Sequence, residues 1–138
     1  MTGKPFRVLP CITPENRHFW TGGADGELRF MRCGDCRYWI HPPAPICPEC
    51  LSKEIEIEAA SGRGVIHTYT INRKEWYPNL HPPYPIAIVS LDEQEDLRLT
   101  TNIVDCAVDE VEIGMPVEVV FEEYDEVYLP MFRPRRGS

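Results

Sequence analysis

The sequence predicts a mainly β protein in two parts: a small metal-stapled ribbon near the N-terminus, then a five-stranded barrel. Three observations carry that expectation. Two C-x2-C pairs, Cys33-Gly34-Asp35-Cys36 and Cys47-Pro48-Glu49-Cys50, stand ten residues apart. After Ser61 there are five strand-like runs, interrupted by one short helical turn around Val108 to Val111. A single helix-start signal precedes the first cysteine pair.

A C-x2-C pair lets the backbone turn so that both sulfurs aim at one point, and two such knuckles make a tetrahedral S4 site. Four thiolates suit zinc, a d10 ion with no geometric preference of its own; iron of the rubredoxin type fits the same ligands and is the rarer occupant. With no open position for water, the metal on Cys33, Cys36, Cys47 and Cys50 is structural, worth about 10 kcal/mol to a segment too short to build a core. Loss of one thiolate is then expected to disorder the ribbon and leave the barrel standing. Disulfides are disfavoured by the absence of a secretory signal, and a redox motif by the second pair and the missing βαβ pattern. Of the two remaining cysteines, Cys106 follows an apolar run and reads as a packed hydrophobe, and Cys11 lies in a proline-rich arm.

In chain order, residues 1–12 carry Pro5 and Pro10 and read as an extended arm. Thr13-Pro14-Glu15-Asn16 supplies a hydroxyl cap, a proline at the first helical position and an acid in the first turn. The helix is short and ends at Phe19-Trp20, before Gly22-Gly23, so two large aromatics must pack on the ribbon or line a groove. Asp25-Gly26 is a tight-turn dipeptide ahead of alternating Leu28 and Phe30, which predicts a hairpin feeding the first knuckle. Tyr38-Trp39-Ile40 is a strand, stopped by His41-Pro42-Pro43-Ala44-Pro45; His41 is a loop residue, because four ligands are already present. Residues 52–60 read as a polar connection containing Ile55 and Ile57.

Ser61-Gly62-Arg63-Gly64 marks the domain boundary, giving an arm, helix and ribbon over residues 1–60 and a barrel with an extended C-terminal arm over 61–138. The strands fall at 65–71, 85–91, 96–104, 117–123 and 127–132. The second (Ile86, Ala87, Ile88, Val89, Leu91) lacks polar alternation, which predicts burial on both faces. Closure into a barrel would remove the exposed edges. Residues 74–84 form the one long loop, with Trp76, Tyr77 and Tyr84 stiffened by three prolines; it contacts a partner or ligand, or lies as a lid on its own barrel. Glu75 and His81 lie in the same loop as a candidate acid/base pair. Pro130-Met131-Phe132-Arg133-Pro134-Arg135-Arg136 reads as an extended arm, since both prolines resist helix and central strand. Phe132 would anchor it while Arg133, Arg135 or Arg136 meets a partner or a phosphate; a free tail is the alternative.

Charge narrows the function classes. The formal net charge is −8, and residues 51–130 hold seventeen Asp/Glu against five Lys/Arg, a local net of −12. Such a surface repels phosphate backbones, which makes a nucleic-acid module the weaker reading. Arg29, Arg32 and Arg37 near the knuckles and the C-terminal arginines are the places for an anionic ligand. No run of eighteen apolar residues exists and the N-terminus lacks an apolar leader, so no membrane span is expected and the chain reads as cytoplasmic.

Taken together, Phe19-Trp20, Gly26-Glu27-Leu28 into Cys33-x2-Cys36, Pro42-Pro43 before Cys47-Pro48-x-Cys50, Gly62-x-Gly64-Val65, Pro83-Tyr84-Pro85-Ile86-Ala87-Ile88-Val89-x-Leu91-Asp92-Glu93, Asn102-Ile103-Val104-Asp105, Ile113-Gly114-Met115-Pro116-Val117-Glu118-Val119 and Pro130-x-Phe132-Arg133-Pro134 resemble, in that order, the DUF35 family. These are rubredoxin-like zinc-ribbon plus OB-fold proteins that accompany thiolase-like and lipid-transfer-protein-like acyl-CoA enzymes. One departure is Gln94, where the family commonly has glycine. The resemblance implies an OB-fold barrel and an accessory subunit whose thiolase-like partner carries the reactive residues. It further implies help in holding a coenzyme A thioester, for which Arg29, Arg32 and Arg37 with Phe19, Trp20, Tyr38 and Trp39 offer cations beside aromatics; the alternative is that these arginines only decorate the ribbon. Trp76, Tyr77 and Tyr84 are the rigid aromatics expected at the partner. Neither the acyl group nor the choice between thiolysis and retro-aldol cleavage is fixed by sequence. A single-stranded nucleic-acid module and a stand-alone enzyme are the readings from other classes.

Overall fold

Residues 7–78 and 81–135 are described by the computed structural model. The helix starts one turn later than the proline suggests. Thr13 to Asn16 form a turn, closed by the Asn16 and Arg17 N–H groups on the Thr13 carbonyl (3.2 and 2.9 Å) and by the Asn16 side chain, which accepts the Thr13 N–H at 2.7 Å. Helix α1 then runs Arg17–Thr21 and passes into a 3-10 turn, Gly22–Asp25. Gly26, at φ 71°, ends that turn, a conformation glycine adopts without strain. Asp25-Gly26 therefore terminates a helical segment and is not the hairpin turn that its dipeptide signature predicts.

The hairpin lies instead across the first knuckle. β1 (Leu28–Cys33) pairs with β2 (Trp39–Ile40), Met31 opposite Ile40 and Arg32 opposite Trp39. On its other edge β1 pairs with β3 (Ile55–Ala60) in the order β2-β1-β3. β3 is the segment that sequence gives as a connection. Its glutamates alternate with isoleucines of which Ile57 is 47% exposed, so its apolar signal is faint. What holds it is β1: backbone pairing from Leu28–Ala60 to Cys33–Ile55, together with ion pairs from Arg32 and Arg37 to Glu56 and Glu58.

The five later strands are all present: β4 (Arg63–Asn72), β5 (Tyr84–Leu91), β6 (Arg98–Asn102), β7 (Pro116–Tyr124) and β8 (Val127–Pro134). Their order is β6-β5-β4-β7-β8, antiparallel throughout. A parallel bridge between Ile103 and Phe132, with the Val104 N–H on the Phe132 carbonyl at 2.8 Å, brings the two ends of the sheet together. That closure makes it an OB-type barrel. β4 serves two neighbours: Arg63, Gly64 and Val65 pair with β7, the strand pairs with β5 along its length, and an irregularity between Ile66 and Thr68 lets it bend from one to the other.

A Cβ on Gly64 would sit 2.4 Å from the Ser90 carbonyl oxygen, where β4, β5 and β7 are closest. Gly64→Ala should therefore destabilise the protein by about 1–3 kcal/mol through backbone displacement. A fall in the urea midpoint at unchanged slope would report it; an unchanged midpoint would mean the junction is looser than the structure has it.

Pro130 and Pro134 lie within β8, not in an arm laid over a surface. β8 terminates the hydrogen-bonded order, and an end strand tolerates prolines. Phe132 is fully buried, opposite Val119, so the anchoring expected of it is in the barrel core and not on a partner. Arg136 lies outside the described residues. In β5 only alternate residues are fully buried, while Ile86 and Ile88 on the other face are half-buried, less than the two-sided burial the sequence suggests.

The two sheets change over at Ser61-Gly62, but the core does not. Phe19, Leu28, Phe30 and Trp39 belong to the same buried cluster as Ile66, Val89, Leu97, Val117 and Phe132. A smaller cluster of Cys33, Ile40 and Cys47 sits at the far end of the ribbon.

Candidate metal centre and adjoining groove

The four cysteines converge. Every pair of their Sγ atoms lies within 4.8 Å, with Cys33–Cys50 at 3.5 Å and Cys36–Cys47 at 3.6 Å. A tetrahedron of 2.3 Å zinc–sulfur bonds has edges of about 3.8 Å, so the set fits such an ion without rearrangement. Both knuckles are built alike. Arg37 (φ 69°) and Leu51 (φ 65°) turn the chain through the left-handed region, and their N–H groups donate to the Cys33 and Cys47 carbonyls at 3.1 and 2.9 Å. Backbone N–H groups also point at sulfur: Asp35 and Cys36 to Cys33 Sγ (both 3.3 Å), and Glu49 to Cys47 Sγ (3.4 Å).

These donors favour thiolate. The Cys36 N–H, against the effect of burial and with the help of the Asp35 N–H, brings the Cys33 thiol down to about 6. Cys36 goes the other way, to about 12: the Tyr38 N–H opposes the rise, but burial and the neighbouring sulfurs outweigh it. Accumulating charge on one sulfur thus resists charge on the next, a conflict that a divalent cation resolves.

His41 is a loop residue and no ligand, as sequence has it, but its ring is packed inward. Its ring packs on Phe19 (4.8 Å between centroids) and Phe30 (5.1 Å). Burial first, and then His18, pull its pKa down to about 4. His18 is lowered as well, by burial and then Arg29. His41 Nδ1 and His18 Nε2 are buried without a hydrogen-bond partner among the described residues. The imidazole of His41 therefore stays neutral in the folded protein down to about pH 4, while in the unfolded chain it takes a proton near 6.5. Its contribution is fully present above pH 6.5 and is lost as pH falls from 6.5 towards 4, by up to about 3 kcal/mol. His41→Phe should flatten that part of the acid stability profile relative to the unmodified protein. Parallel profiles in urea titrations from pH 7 to 4 would show that His41 is not the group responsible.

The ribbon arginines are engaged within the chain. Arg29 donates to Asp25 (2.7 Å) and Glu27 (2.8 Å), and Arg37 to Glu56 (3.1 Å) and Glu58 (2.7 Å). Arg32 donates to Glu58 at 3.0 Å and lies 4.3 Å over the Trp39 ring. The Tyr38 hydroxyl donates to Asp96 at 2.7 Å, which raises Tyr38 to about 12. Trp39 is buried; its backbone N–H and carbonyl are both met by the Gln94 side chain at 2.9 Å. Gln94, which sequence marks only as a departure from a glycine, thus clasps β2 to the barrel in the manner of a strand neighbour.

The half-buried Trp20 and the almost fully buried Phe19 both line open space. Two adjoining hollows share them with Leu99 and Thr100. One, of about 350 Å³, continues between Arg7, Tyr84, Ile86 and Met131; the other, of about 440 Å³, continues past Asn16, His41, Pro43 and Arg98. Arg7 is held there by Glu122 (3.0 Å) and Asn102 (2.8 Å). Arg7, Arg98 and Met131 are lining residues without a sequence signal, because the groove forms only when α1 lies across β6 and β8.

Of the residues expected to meet a partner, Trp76 and Tyr77 are 60% and 44% exposed, and Tyr84 is half-buried at the groove. Trp76 Nε1 donates to Asn72 (2.9 Å), and Lys74 Nζ stands 4.4 Å from its ring centre. Glu75 and His81 approach to only 4.0 Å, too far for a hydrogen bond. Arg133 pairs with Glu118 at 3.0 Å, and Arg135 is exposed. No helix among the described residues is long and apolar enough to cross a membrane.

Comparison with known proteins agrees with this geometry. Residues 20–56 match the family described as the ChsH2 rubredoxin-like zinc ribbon domain, and residues 58–122 that of the ChsH2 C-terminal OB-fold domain. A DUF35 domain-containing scaffold protein of Methanothermobacter thermautotrophicus is 39% identical over 103 residues, 72% of this chain and 75% of that protein. A probable enoyl-CoA hydratase alpha subunit of Thermomonospora curvata is 37% identical over 95% of this chain, which spans 41% of that protein's length. A solved structure described as the Ltp2-ChsH2(DUF35) aldolase superposes with a TM-score of 0.82 at 36% identity, covering 91% of this chain and 98% of that one.

Proposed function

Since the chain belongs to the DUF35 family of zinc-ribbon and OB-fold proteins, we propose that it is a zinc-bearing accessory subunit of an acyl-CoA enzyme, whose reactive residues lie on a thiolase-like or lipid-transfer-protein-like partner. The observation that carries this reading is the match to nearly the whole DUF35 chain of an aldolase. It favours carbon–carbon cleavage of a β-hydroxyacyl-CoA by a retro-aldol reaction over thiolysis of a β-ketoacyl-CoA.

Cys33, Cys36, Cys47 and Cys50 hold one zinc, which when bound neutralises the clustered thiolates and fixes the ribbon. The groove beside Phe19 and Trp20 takes the apolar part of the thioester, with Arg98 at its rim. Arg29, Arg32 and Arg37, each committed to carboxylates, serve the ribbon instead of the ligand. Trp76, Tyr77 and Tyr84 meet the partner, with Arg133 and Arg135 as secondary contacts.

A second reading follows from the Thermomonospora relative: the same module would accompany an enoyl-CoA hydratase. Assays of the chain, of a thiolase-like protein from the same organism, and of the mixture separate these readings, using β-hydroxyacyl-CoA, β-ketoacyl-CoA with free coenzyme A, and enoyl-CoA. Retro-aldol turnover by the mixture and none by this chain alone is expected. Turnover by the isolated chain would refute the accessory role.

A further inference from the structure

β4 outruns one of its neighbours. Its pairing with β7 ends at Val65–Pro116, and the last backbone bonds on that side are those of Ile66 with Met115 (3.1 Å) and Gly114 (2.7 Å). From Thr68 to Asn72 the strand pairs with β5 alone, and no described residue bonds the backbone of its other edge. His67, Thr68, Tyr69 and Thr70 are all exposed.

The direction of that edge follows from the register. Pro85, opposite Ile71, has no N–H, and its carbonyl accepts the Asn102 side-chain amide at 2.9 Å from the β6 side. Strand alternation therefore turns the N–H and C=O of Ile71, and of Tyr69 two residues earlier, away from β5. Two donors and two acceptors point outward at strand spacing. The usual protections of an edge are missing: residues 67–72 contain neither proline nor lysine, and the bulge comes before the open stretch.

Charge indicates what fits there. Residues 63–91 carry Arg63, Arg73 and Lys74 against Glu75, a local net of +2 in a chain of net −8. Trp76 and Tyr77 stand exposed at the end of the same ribbon. We propose that the open edge of β4 at Tyr69 and Ile71 receives an added β-strand from the catalytic partner, an extended segment whose side chains are acidic and apolar. This inference rests on the accessory-subunit reading. Backbone pairing would supply the register, while Trp76, Tyr77 and the basic tip would select the segment.

Amide hydrogen exchange of the chain, alone and with a thiolase-like protein from the same organism, tests the proposal. The Tyr69 and Ile71 amides should slow at least ~100-fold in the complex, as amides drawn into a strand ladder do. Failure of the two proteins to associate would sink the accessory reading; a complex in which these two amides exchange as in the free chain would overturn the strand addition alone. Slowing in the isolated chain that grows with its concentration would assign the edge to a second copy and also overturn it. Ile71→Pro removes an outward N–H without touching the β5 ladder and should weaken the complex at least tenfold; the exchange result on the unmodified chain decides if that variant does not fold. Arg73→Glu with Lys74→Glu should also weaken it at least tenfold. Unchanged affinity would contradict an acidic occupant.

Discussion

Replacing Cys47 by serine is expected to release the metal and unfold the whole protein, not the ribbon alone. Cys47 is fully buried and its sulfur lies 3.6 Å from that of Cys36. A structural zinc site contributes about 10 kcal/mol or more, comparable to the entire stability of an ordinary domain. From sequence, the barrel is expected to survive such a loss. The shared cluster changes that expectation: without the ribbon, Leu28, Phe30 and Trp39 no longer cover Ile66, Val89 and Leu97. Elemental analysis should find about one zinc per chain in the unmodified protein and none in Cys47→Ser, with near-UV circular dichroism of the variant flat. A zinc-free variant that keeps a native near-UV signal and a cooperative thermal transition would mean that the barrel stands by itself.

Phe30→Ala should produce the next largest effect, a loss of about 3–5 kcal/mol. The ring is fully buried, 5.9 Å from Phe19, 6.4 Å from Trp39 and 5.1 Å from His41 by centroids. It therefore joins α1, the ribbon (through β1 and β2) and, through the shared core cluster, the barrel. Deleting it opens a cavity at a junction of three elements, none of which can collapse into it without breaking its own pairing. Urea unfolding monitored at two wavelengths should remain a single transition at a lower midpoint. A loss below about 1 kcal/mol, or two separated transitions, would show the ribbon and barrel to be independently packed.

What sequence makes legible here is whatever local spacing dictates. The cysteine knuckles are fixed by two-residue turns and the barrel strands by short apolar or alternating runs, so residue order alone is enough to place both. β3 escapes such a reading because its stability comes from β1 and from Arg32 and Arg37, residues distant along the chain. Asp25-Gly26 misleads because the same dipeptide serves a hairpin turn and a helix end, and the preceding 3-10 turn decides between them. Pro130 and Pro134 mislead for a related reason: strand prolines depend on which edge is open, and that is set by the order β7-β8. Gln94 and the groove residues Arg7, Arg98 and Met131 acquire their roles only once the ribbon and α1 dock on the barrel. The ribbon arginines are legible as a cluster, but their glutamate partners on β3 are not.

A scaffold for a catalytic partner must be found bound to it. Co-expression with a candidate catalytic partner, a thiolase-like protein from the same organism, followed by size-exclusion chromatography with light scattering and metal analysis at micromolar concentration, tests that role most directly. The expected result is a single species containing both chains, with zinc in proportion to this one. Separate elution of two folded proteins, this one fully loaded with zinc, would contradict it.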